Sequence, residues 1–421
     1  MLKISKNWII SLLMLLIAFQ MKGTSAPSSL PVAIIGGEFT ISEENEKTYP
    51  YAVLINADHT ITTLTKTVNP FEGSIASVAI NSSGLSIFGG RKGDNPDVFK
   101  QYPYIGLVSP EGKVRPLGPG YLPRGIGRIN SVAINDTGNA TIGGMENSND
   151  AFLALVSPAG STSGPGDCGS LGSGFIESTD INKFGVSLFG GTDSEYVYPY
   201  VALVNRDGSC KKLSSLIPQT KGIFSVSIKD SGGIICGQDN YSAQPYVALI
   251  SLEGSVKDIS KLFPELAKIY SSAISSYGTA ILAGKIFTKD GYFPYVALVD
   301  SSGTIIKELD IQEKGGVIHS VAMSPFGMAI IGGTGAGNEP YAAIVYPNGE
   351  KVIKVQGLEF SGGSIFSVDI NSDGSIMMIG GQKNGKLYAA FVDNKGVIDL
   401  LKDPTFYENE GVIRSVSVID N

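Results

Sequence analysis

The chain repeats one pattern of apolar segments and turns along nearly its whole length. The pattern begins with a short segment of the form Ser-Val-Ala-Ile-Asn, as in residues 77–81 and 131–135, and a tight turn containing Gly follows it. A second apolar segment ends in a pair of small residues such as Gly89-Gly90, and a third has the form Pro-Tyr-Val-Ala-Leu-Val, as in residues 199–204. Another turn leads to a weaker fourth segment. The small pairs recur every 46 to 54 residues, which indicates a repeat protein.

These segments predict β-strands. Each is five to seven residues long, is rich in Val, Ile, Tyr and Ala, and is bounded by Gly, Asn, Asp or Ser. Four short antiparallel strands in a unit of about 49 residues are typical of one blade of a β-propeller. Near-continuous apolar runs agree with this, because stacked blades bury both faces of each sheet. The fold class is therefore predicted to be all-β, an eight-bladed β-propeller of four-stranded antiparallel blades.

The two ends of the repeat array predict how the ring closes. Residues 32–37 form a second strand with no first strand before it, and residues 415–419 form a first strand with no second strand after it. Joined, the two halves make one blade, so we expect the C-terminal strand to complete the N-terminal blade. Closure of this kind removes exposed sheet edges. A linear solenoid is the alternative, but it leaves the complementary half-units unexplained.

The N-terminus predicts export. Lys3 and Lys6 precede an apolar run over residues 8–19, and Thr24-Ser25-Ala26 supplies the small residues of a cleavage site. We expect residues 1–26 to be a signal peptide cleaved near Ala26, and residues 27–421 to be a single propeller domain without a transmembrane segment. The mature protein is then extracytoplasmic: secreted, periplasmic or on the cell surface.

Composition narrows the classes of partner. Glycine accounts for 53 of 421 residues and charged residues for only 17%, as expected for a protein of tight turns and sheets buried on both faces. Removal of residues 1–26 takes away three lysines and moves the net charge from −7 to −10. Nucleic acid is therefore disfavoured, because its binding demands clustered Lys and Arg. We expect a monomer.

The three cysteines do not form a disulfide framework. Cys236 stands where other repeats have Gly or Ala, which indicates a small buried side chain. Cys168 and Cys210 either pair between neighbouring repeats or are free, unreactive thiols. The sequence leaves these two alternatives open.

Loop variation identifies one candidate binding face. The turns between strands one and two and between strands three and four are short and uniform, whereas the connections from strand two to three and from strand four to the next blade vary. In an antiparallel blade the two variable connections emerge on the same side. Recognition is expected on loops that a rigid scaffold presents, so this variable-loop face is the predicted binding face.

One column of the repeat varies as strongly as these loops. The residue before the repeated Ser differs in almost every blade, although its neighbours are nearly uniform. Because the innermost strand begins there, we predict a ligand-binding ring at the channel mouth on the variable-loop face. A solvated rim without a binding role is the alternative. The eight residues are Ala76, Asn130, Glu177, Phe224, Tyr270, His319, Phe366 and Arg414.

Catalytic and metal chemistry receive little support from the residues. The repeated Ser is predicted to be structural, with its hydroxyl bonded to nearby backbone, since eight copies cannot all be nucleophiles. The chain has only His59 and His319, and no Gly-x-Ser-x-Gly elbow lies on a strand-to-helix turn. His and Cys lack metal-ligand spacing, and the Asp-containing turns do not continue into a calcium loop. We expect no cofactor and no metal.

The repeat resembles known propeller families. Ser324-Pro325-Phe326-Gly327, which comes just before an Ala-Ile-Ile-Gly-Gly strand, is similar to the inter-strand turns of WD40 and YVTN-type repeats, and the Gly pair is similar to that of kelch repeats. The Trp residues of WD40 and kelch repeats are absent from the mature chain. At a lower level of similarity, the repeat resembles propeller-like passenger repeats of bacterial autotransporter-type surface proteins. The resemblance implies a propeller scaffold across the mature chain.

Together these features predict an exported binding module that recognises a protein or glycan ligand through the variable-loop face and channel mouth. One alternative is an exported propeller lyase or hydrolase acting on polysaccharide or cell-wall material, with loop carboxylates, Tyr270, His319 or Arg414 as catalysts. Another is a structural surface-repeat protein. An enzyme should have a deep pocket with converging acids, whereas a binder should have a broad face that carries aromatic side chains.

Overall fold

The structure is a computed structural model that describes residues 30–41, 47–64, 72–93, 101–117, 122, 125–147, 149–168, 172–193, 198–219, 221–239 and 244–420. The predicted signal peptide, residues 1–26, lies outside these ranges. Within them, 32 strands form eight four-stranded antiparallel sheets, which we number as blades 1 to 8. This confirms the predicted eight-bladed propeller.

The blades follow one another along the chain. Blade 1 contains β1 (Pro31–Ile41), β2 (Lys47–Asn56), β3 (Ile61–Thr63) and β32 (Gly411–Val418). Blades 2 to 4 contain β4 (Gly73–Ile80), β5 (Ser86–Lys92), β6 (Tyr102–Val108), β7 (Val114–Arg115), β8 (Arg128–Ile134), β9 (Ala140–Glu146), β10 (Asp150–Val156), β11 (Thr162–Ser163), β12 (Gly174–Ile181), β13 (Ser187–Asp193), β14 (Pro199–Val204) and β15 (Cys210–Lys212). Blades 5 and 6 contain β16 (Lys221–Lys229), β17 (Gly232–Asp239), β18 (Pro245–Ile250), β19 (Val256–Asp258), β20 (Ala267–Ile274), β21 (Ala280–Thr288), β22 (Gly291–Val299) and β23 (Ile305–Glu308). Blades 7 and 8 contain β24 (Val317–Met323), β25 (Ala329–Thr334), β26 (Pro340–Val345), β27 (Val352–Lys354), β28 (Gly363–Ile370), β29 (Met377–Lys383), β30 (Lys386–Val392) and β31 (Ile398–Leu400).

Short 3-10 turns connect some of these strands: Gly166–Cys168, Ser214–Leu216, Ser260–Leu262, Ala336–Asn338, Pro347–Gly349 and Pro404–Glu408. In the part of the chain that the structure describes, no helix is long and apolar enough to cross a membrane.

The ring closes through blade 1. The C-terminal strand β32 pairs antiparallel with β1, with Ile35 opposite Val416 and Ala33 opposite Val418. The last strand of the chain thus becomes the innermost strand of the first blade, as the sequence predicts. Closure leaves the inner edge of every blade facing the channel.

The hydrophobic core lies between blades rather than within one central layer. Each of the eight apolar clusters joins two neighbouring blades; the cluster between blades 2 and 3, for example, joins Ile87 and Leu107 to Ile129, Ile142 and Phe152. This arrangement buries both faces of each sheet. It explains the near-continuous apolar runs in the sequence.

Six of the eight small pairs begin with glycine, and this first glycine lets the blades approach closely. A Cβ on Gly36 would lie 2.5 Å from Val78 Cγ1 in the next blade, and a Cβ on Gly89 would lie 2.5 Å from Ile129 Cγ2. Blade 5 has the buried Cys236 at this position, and the next blade has Ser272 where most blades have Val. The larger side chain thus faces a smaller one, and the interface keeps its spacing. Burial raises the pKa of the Cys236 thiol to about 12.

The second glycine is required by a β-bulge in the innermost strand. In blade 2 the register between β4 and β5 shifts between Ile75 and Ser77, so that Ala76 is unpaired. A Cβ on Gly90 would overlap the carbonyl oxygen of Ser74 on the bulged strand. The same shift occurs in all eight blades.

The repeated serines form a continuous ring of hydrogen bonds between blades. Each Ser Oγ accepts the backbone N–H of the residue that follows the corresponding Ser in the next blade, at 3.0 to 3.2 Å. This confirms the predicted structural role of the repeated Ser. In ring order the acceptor–donor pairs are Ser415–Val78, Ser77–Val132, Ser131–Thr179, Ser178–Val226, Ser225–Ser272, Ser271–Val321, Ser320–Val368 and Ser367–Val416.

Asparagine side chains build the uniform turns between the first and second strands. Asn81 Oδ1 accepts the N–H groups of Ser83 (3.1 Å) and Leu85 (3.0 Å), and its amide donates to the carbonyl of Asn135 in the next blade (3.1 Å). Gly84 closes the turn at a φ of 79°, a left-handed conformation that favours glycine. The Asn135 amide likewise donates to the carbonyl of Asn182, so these two turns also tie neighbouring blades together.

Cys168 and Cys210 form a disulfide, with their Cα atoms 5.4 Å apart. Cys168 ends the 3-10 turn between blades 3 and 4, and Cys210 begins the outermost strand of blade 4. The bond ties the inter-blade connection to the outer edge of a blade. It resolves the alternative that the sequence leaves open.

Two of the predicted variable connections are largely strand. In blade 6, β21 and β22 continue beyond the small pair to Thr288 and from Gly291, although the sequence predicts a loop over residues 285–293. The cross-strand pairs Ile286–Phe293 and Phe287–Tyr292 extend the hairpin, because apolar and aromatic neighbours stabilise pairing. In blade 1, β1 and β2 likewise extend to Ile41 and from Lys47.

The serine ring predicts that the loss of a single hydroxyl group lowers the stability of the protein. Ser320→Ala removes the acceptor of the buried Val368 N–H and should lower the free energy of unfolding by about 1–2 kcal/mol. Urea denaturation measures this value. Ser301→Ala, in an exposed turn, is the matched control and should change stability by less than about 0.5 kcal/mol. Equal effects of the two changes would contradict a structural role for the ring.

Candidate functional site

The eight sequence-predicted site residues all occupy the bulges of the innermost strands. A bulged residue is left out of the ladder, so its side chain is aimed independently of its neighbours. Arg414 is exposed and the other seven are half-buried. The residues that the bulges place around the channel, in blade order 1 to 8, are Arg414, Ala76, Asn130, Glu177, Phe224, Tyr270, His319 and Phe366.

Some neighbours in this ring contact each other. The Asn130 amide donates to the Ile176 carbonyl at 2.9 Å and lies 3.4 Å from Glu177 Oε2. The ring centroids of His319 and Phe366 are 5.6 Å apart, and His319 Nε2 lies 3.2 Å from Thr334 Oγ1. The eight bulged residues, which we call the bulge ring, thus form contacts between some neighbouring blades.

Burial shifts the pKa values of the two best acid–base candidates of the ring, Glu177 and His319. It raises the pKa of the Glu177 carboxyl, and the Arg128 guanidinium opposes this rise. Burial lowers the pKa of His319, and the nearby Lys285 ammonium lowers it further. Glu177 lies on blade 4 and His319 on blade 7, so the fold places them three blades apart around the ring.

Two more positions in each blade belong to this end of the channel. They are the facing pair just outside the small pair, such as Ser74 and Arg91 in blade 2. We define the channel-mouth set as these two residues and the bulged residue of every blade. Its charged members are Glu38 and Glu177, which are acidic, and Arg91, Arg128, Lys268, Lys285 and Arg414, which are basic.

The three arginines of the channel-mouth set come from consecutive blades. Arg414 pairs with Glu38 within blade 1. Arg91 donates to Ser74 Oγ (3.1 Å) and Gln101 Oε1 (3.0 Å) in blade 2, and the Arg128 guanidinium carbon lies 6.0 Å from the Phe175 ring centroid. Burial lowers the pKa of Arg91; Glu38 opposes this, while Arg128 and Arg414 add to it. Arg91 therefore lies within the electrostatic field of both other guanidinium groups.

The extended hairpin of blade 6 surrounds a lysine with aromatic rings. Lys285 Nζ lies 5.0 Å from the Tyr292 centroid, 5.1 Å from Phe287 and 5.9 Å from Tyr270. Burial lowers the pKa of Lys285, as does the neighbouring Lys268. These contacts stabilise the hairpin by cation–π attraction.

The inner part of the channel is a separate cavity toward the uniform-turn face. Its volume is about 380 Å³, and its lining comes from the later residues of the innermost strands, with none of the bulged residues. Polar lining residues include Asp180, Lys229, Asp369 and Asp420. No motif of the sequence predicts this cavity.

Two carboxylates in the cavity wall join blades. Asp369 accepts the N–H groups of Ile370 and, in the next blade, Val418, both at 2.9 Å. Asp180 accepts those of Ile181 and Ile228, both at 2.8 Å. Each carboxylate thus links adjacent blades, as the serine ring does. Within the described residues, no group of three His, Cys, Asp or Glu side chains is placed to hold a metal ion.

The uniform-turn face carries exposed aromatic side chains outside the predicted binding face. Phe184, Tyr277 and Phe326 are 61%, 70% and 63% exposed at the tips of turns between first and second strands. The Tyr277 and Phe326 centroids lie 6.4 Å apart on neighbouring blades. Both ends of the propeller therefore present aromatic surface.

The signal for the flanking charges was present in the sequence. The residue after each small pair varies as strongly as the bulged residue: Glu38, Arg91, Met145, Thr192, Gln238, Lys285, Thr334 and Gln382. Their place at the channel mouth follows only from strand register.

Comparisons with solved structures support the fold. The sequence matches no family model and no curated protein. The structure is similar to that of the Dos1 propeller, with 13% identity and a TM-score of 0.53 over 84% of this chain and 90% of that chain. It is also similar to Chaetomium thermophilum Sqt1, with 14% identity and a TM-score of 0.53 over 77% and 86%, and to Kuenenia stuttgartiensis hydrazine synthase, with 10% identity and a TM-score of 0.51 over 76% and 95%. At these identities the likeness establishes the propeller fold alone.

Asp369 predicts a pH dependence of stability. Burial raises its pKa to about 6, and Asp420 raises it further, against the hydrogen bonds from Val418 and Ile370. A carboxyl whose pKa is higher in the folded than in the unfolded state favours folding while protonated. Its contribution is lost as the pH rises from about 4 to about 6, on the order of 3 kcal/mol in total.

Urea denaturation of the wild type and Asp369→Asn between pH 4 and 7 measures this contribution. The stability of the wild type relative to the variant should fall as the pH rises through this window. Asp373 in an exposed turn is the contrasting control, because its hydrogen bond from Ser375 lowers its pKa, and Asp373→Asn should show the opposite sign at lower pH. A flat difference for Asp369→Asn would contradict the raised pKa.

Proposed function

We propose that this protein is an exported β-propeller binding module that recognises a protein or glycan ligand through its variable-loop face and channel mouth. The observation that carries the proposal is the coincidence of sequence variation with the bulges. The small pair and the repeated Ser are held nearly constant by packing and by the serine ring, while the column freed from the ladder differs from blade to blade. Such an arrangement suits a rigid scaffold that presents a variable surface.

Protein ligands receive support from one structural neighbour. Sqt1 was solved bound to the N-terminus of a ribosomal protein, so a propeller of similar shape binds a polypeptide segment. Glycans remain the second ligand class of the proposal.

The placement of the titratable groups favours binding over acid–base catalysis. Glu177 and His319 stand on blades 4 and 7, and each is engaged with a neighbour, Asn130 and Thr334 respectively. The carboxylates in the inner cavity wall accept backbone N–H groups. These acids serve contacts between blades, which suits a binding module.

We further propose that the protein is extracytoplasmic after cleavage near Ala26. The charged and apolar pattern of residues 1–26 supports export. The Cys168–Cys210 disulfide supports it as well, because disulfides persist in oxidising compartments.

The binding proposal is tested with a variant of the bulge ring. Glu177, Tyr270, His319, Phe366 and Arg414 are all changed to Ala in residues 27–421, and the variant and wild type are screened against a displayed random peptide library and a glycan array. Ligands selected by the wild type should bind the variant at least tenfold more weakly, because the contacts of five side chains are removed.

A variant of the opposite face is the control. Phe184, Tyr277 and Phe326, all exposed, are changed to Ser, which should leave binding unchanged. Melting temperatures of all three proteins establish that they are folded. Ligands that depend on the uniform-turn aromatics and not on the bulge ring would place recognition at the other end of the channel.

Export is tested on the protein as cells release it. Full-length chain expressed in an exporting bacterium should yield a mature form that begins at Pro27. After denaturation without reductant, this form should react with one equivalent of thiol reagent, at Cys236, and Cys168→Ser should raise the count to two. A protein that stays in the cytoplasm with residues 1–26 still attached would contradict the proposal. A protein with three reactive thiols would contradict it as well.

A further inference from the structure

Positive charge is concentrated at the channel mouth of an acidic protein. The chain carries a net charge of −7. The 24 positions of the channel-mouth set nevertheless contain five basic and two acidic side chains. Because opposite charges attract and field lines converge in a concave site, this excess of positive charge attracts anionic groups.

The arginines and the bulged rings lie on different blades around the mouth, while Lys268 and Lys285 lie on blade 6 beside the rings. Arg414, Arg91 and Arg128 lie on blades 1, 2 and 3 and form what we call the arginine arc. Blades 5 to 8 contribute the bulged rings, which we call the aromatic arc: Phe224, Tyr270, His319 and Phe366. A ligand that spans the mouth therefore meets guanidinium groups on one side and ring surfaces with two lysines on the other.

The arginine arc is incompletely neutralised. Glu38 pairs with Arg414, and Glu177 is the second acid nearby. Arg91 donates to neutral oxygens of Ser74 and Gln101. Among the residues that the structure describes, the buried Nε of Arg128 has no hydrogen-bond partner. A carboxylate matches this arc, because guanidinium groups bind carboxylates through paired, charge-assisted hydrogen bonds.

The aromatic arc suits an apolar side chain better than a flat sugar ring. The Tyr270 face lies under Lys285 Nζ at 5.9 Å, and the His319 and Phe366 rings are tilted by 41° to each other. His319 and Phe366 therefore do not form one flat platform. These half-buried side chains can pack around an aliphatic or aromatic side chain.

We propose that the channel mouth binds an acidic polypeptide segment, with Asp or Glu side chains on the arginine arc and an adjacent apolar side chain against the aromatic arc. The proposal rests on the binding function proposed above and specifies the chemistry of its ligand. The residues that carry it, Arg91 and Arg128, are outside the ring that the sequence predicts; Arg414 belongs to both.

The test selects a displayed random peptide library on residues 27–421 at low salt. Selected peptides should be enriched in Asp and Glu next to an apolar residue. Synthetic copies should bind about tenfold more weakly to each of Arg91→Gln, Arg128→Gln and Arg414→Gln, as expected for loss of one charged hydrogen bond. Arg→Lys at the same positions should have an intermediate effect, because the charge remains and the paired geometry is lost.

A charge-matched control separates local recognition from net charge. Lys183, Lys257 and Lys307 lie on a uniform turn and on outermost strands, and changing each to Gln should leave affinity unchanged. Added NaCl should weaken wild-type binding more than binding of the arginine variants, since salt screens exposed charge pairs. Melting temperatures establish that every variant is folded, and each single variant stands as a test if a combination fails to fold.

The outcomes distinguish this inference from the proposed function. Selected peptides without acidic enrichment that still lose affinity to the bulge-ring Ala variant would overturn the acidic ligand and leave the binding function standing. Peptides whose affinity is the same for the wild type, the arginine variants and the bulge-ring Ala variant would overturn both the acidic ligand and the proposed binding function. An oligogalacturonate probe that binds while no peptide is selected would overturn the polypeptide ligand in favour of an acidic sugar, and retention of neither probe would overturn the inference.

Discussion

Neighbouring blades stand close enough for a serine hydroxyl of one to accept a backbone N–H of the next. This contact occurs at all eight interfaces, including the one between the last and first blades, so the hydrogen bonds close into a ring. A spacing this short leaves no room for side chains where the second strands face the next blade. Six interfaces have glycine at this position, and the other two have Cys236 facing a Ser and Ala283. The serine ring therefore sets a packing distance that the rest of the interface satisfies.

The bulge is the second consequence of this packing. The innermost strand departs from the ladder beside each small pair. The second glycine of the pair leaves room for the carbonyl group that the bulge places next to it. One residue in each blade is thereby released from pairing, at the same height in the ring. Side chains at these positions can differ without disturbing the core, which explains why Arg, Ala, Asn, Glu, Phe, Tyr and His all occur in one column. A structural constraint and a variable surface thus arise from the same local geometry.

The two ends of the channel have acquired different chemistry. Toward the variable loops, the channel-mouth set carries three arginines on blades 1 to 3 and four bulged rings on blades 5 to 8, with two lysines beside the rings on blade 6. Further along the channel, the carboxylates of Asp180 and Asp369 are directed at backbone N–H groups of neighbouring blades. The carboxylates there accept hydrogen bonds across blade interfaces, whereas the charged side chains of the mouth are mostly basic.

The repeat determined most of the architecture. Strand type, blade number and closure through residues 415–419 followed from periodicity, because each unit must stack on its neighbours to bury two apolar faces. The structural role of the serines, the burial of Cys236 and the column of eight variable residues were also predicted. Local pattern was sufficient for each, since each recurs at a fixed place in a strand.

Tertiary structure alone decided the contacts that depend on register between strands. The bulges, the pairing of Cys168 with Cys210, the extended hairpin of blade 6 and the grouping of Arg91, Arg128 and Arg414 all join residues from different strands or blades. The sequence shows which small pairs are followed by a charged residue, but not which of these residues lie close together. Which charges meet around a closed ring depends on the order of the blades and on a one-residue shift in pairing, because that shift reverses the face on which a side chain lies.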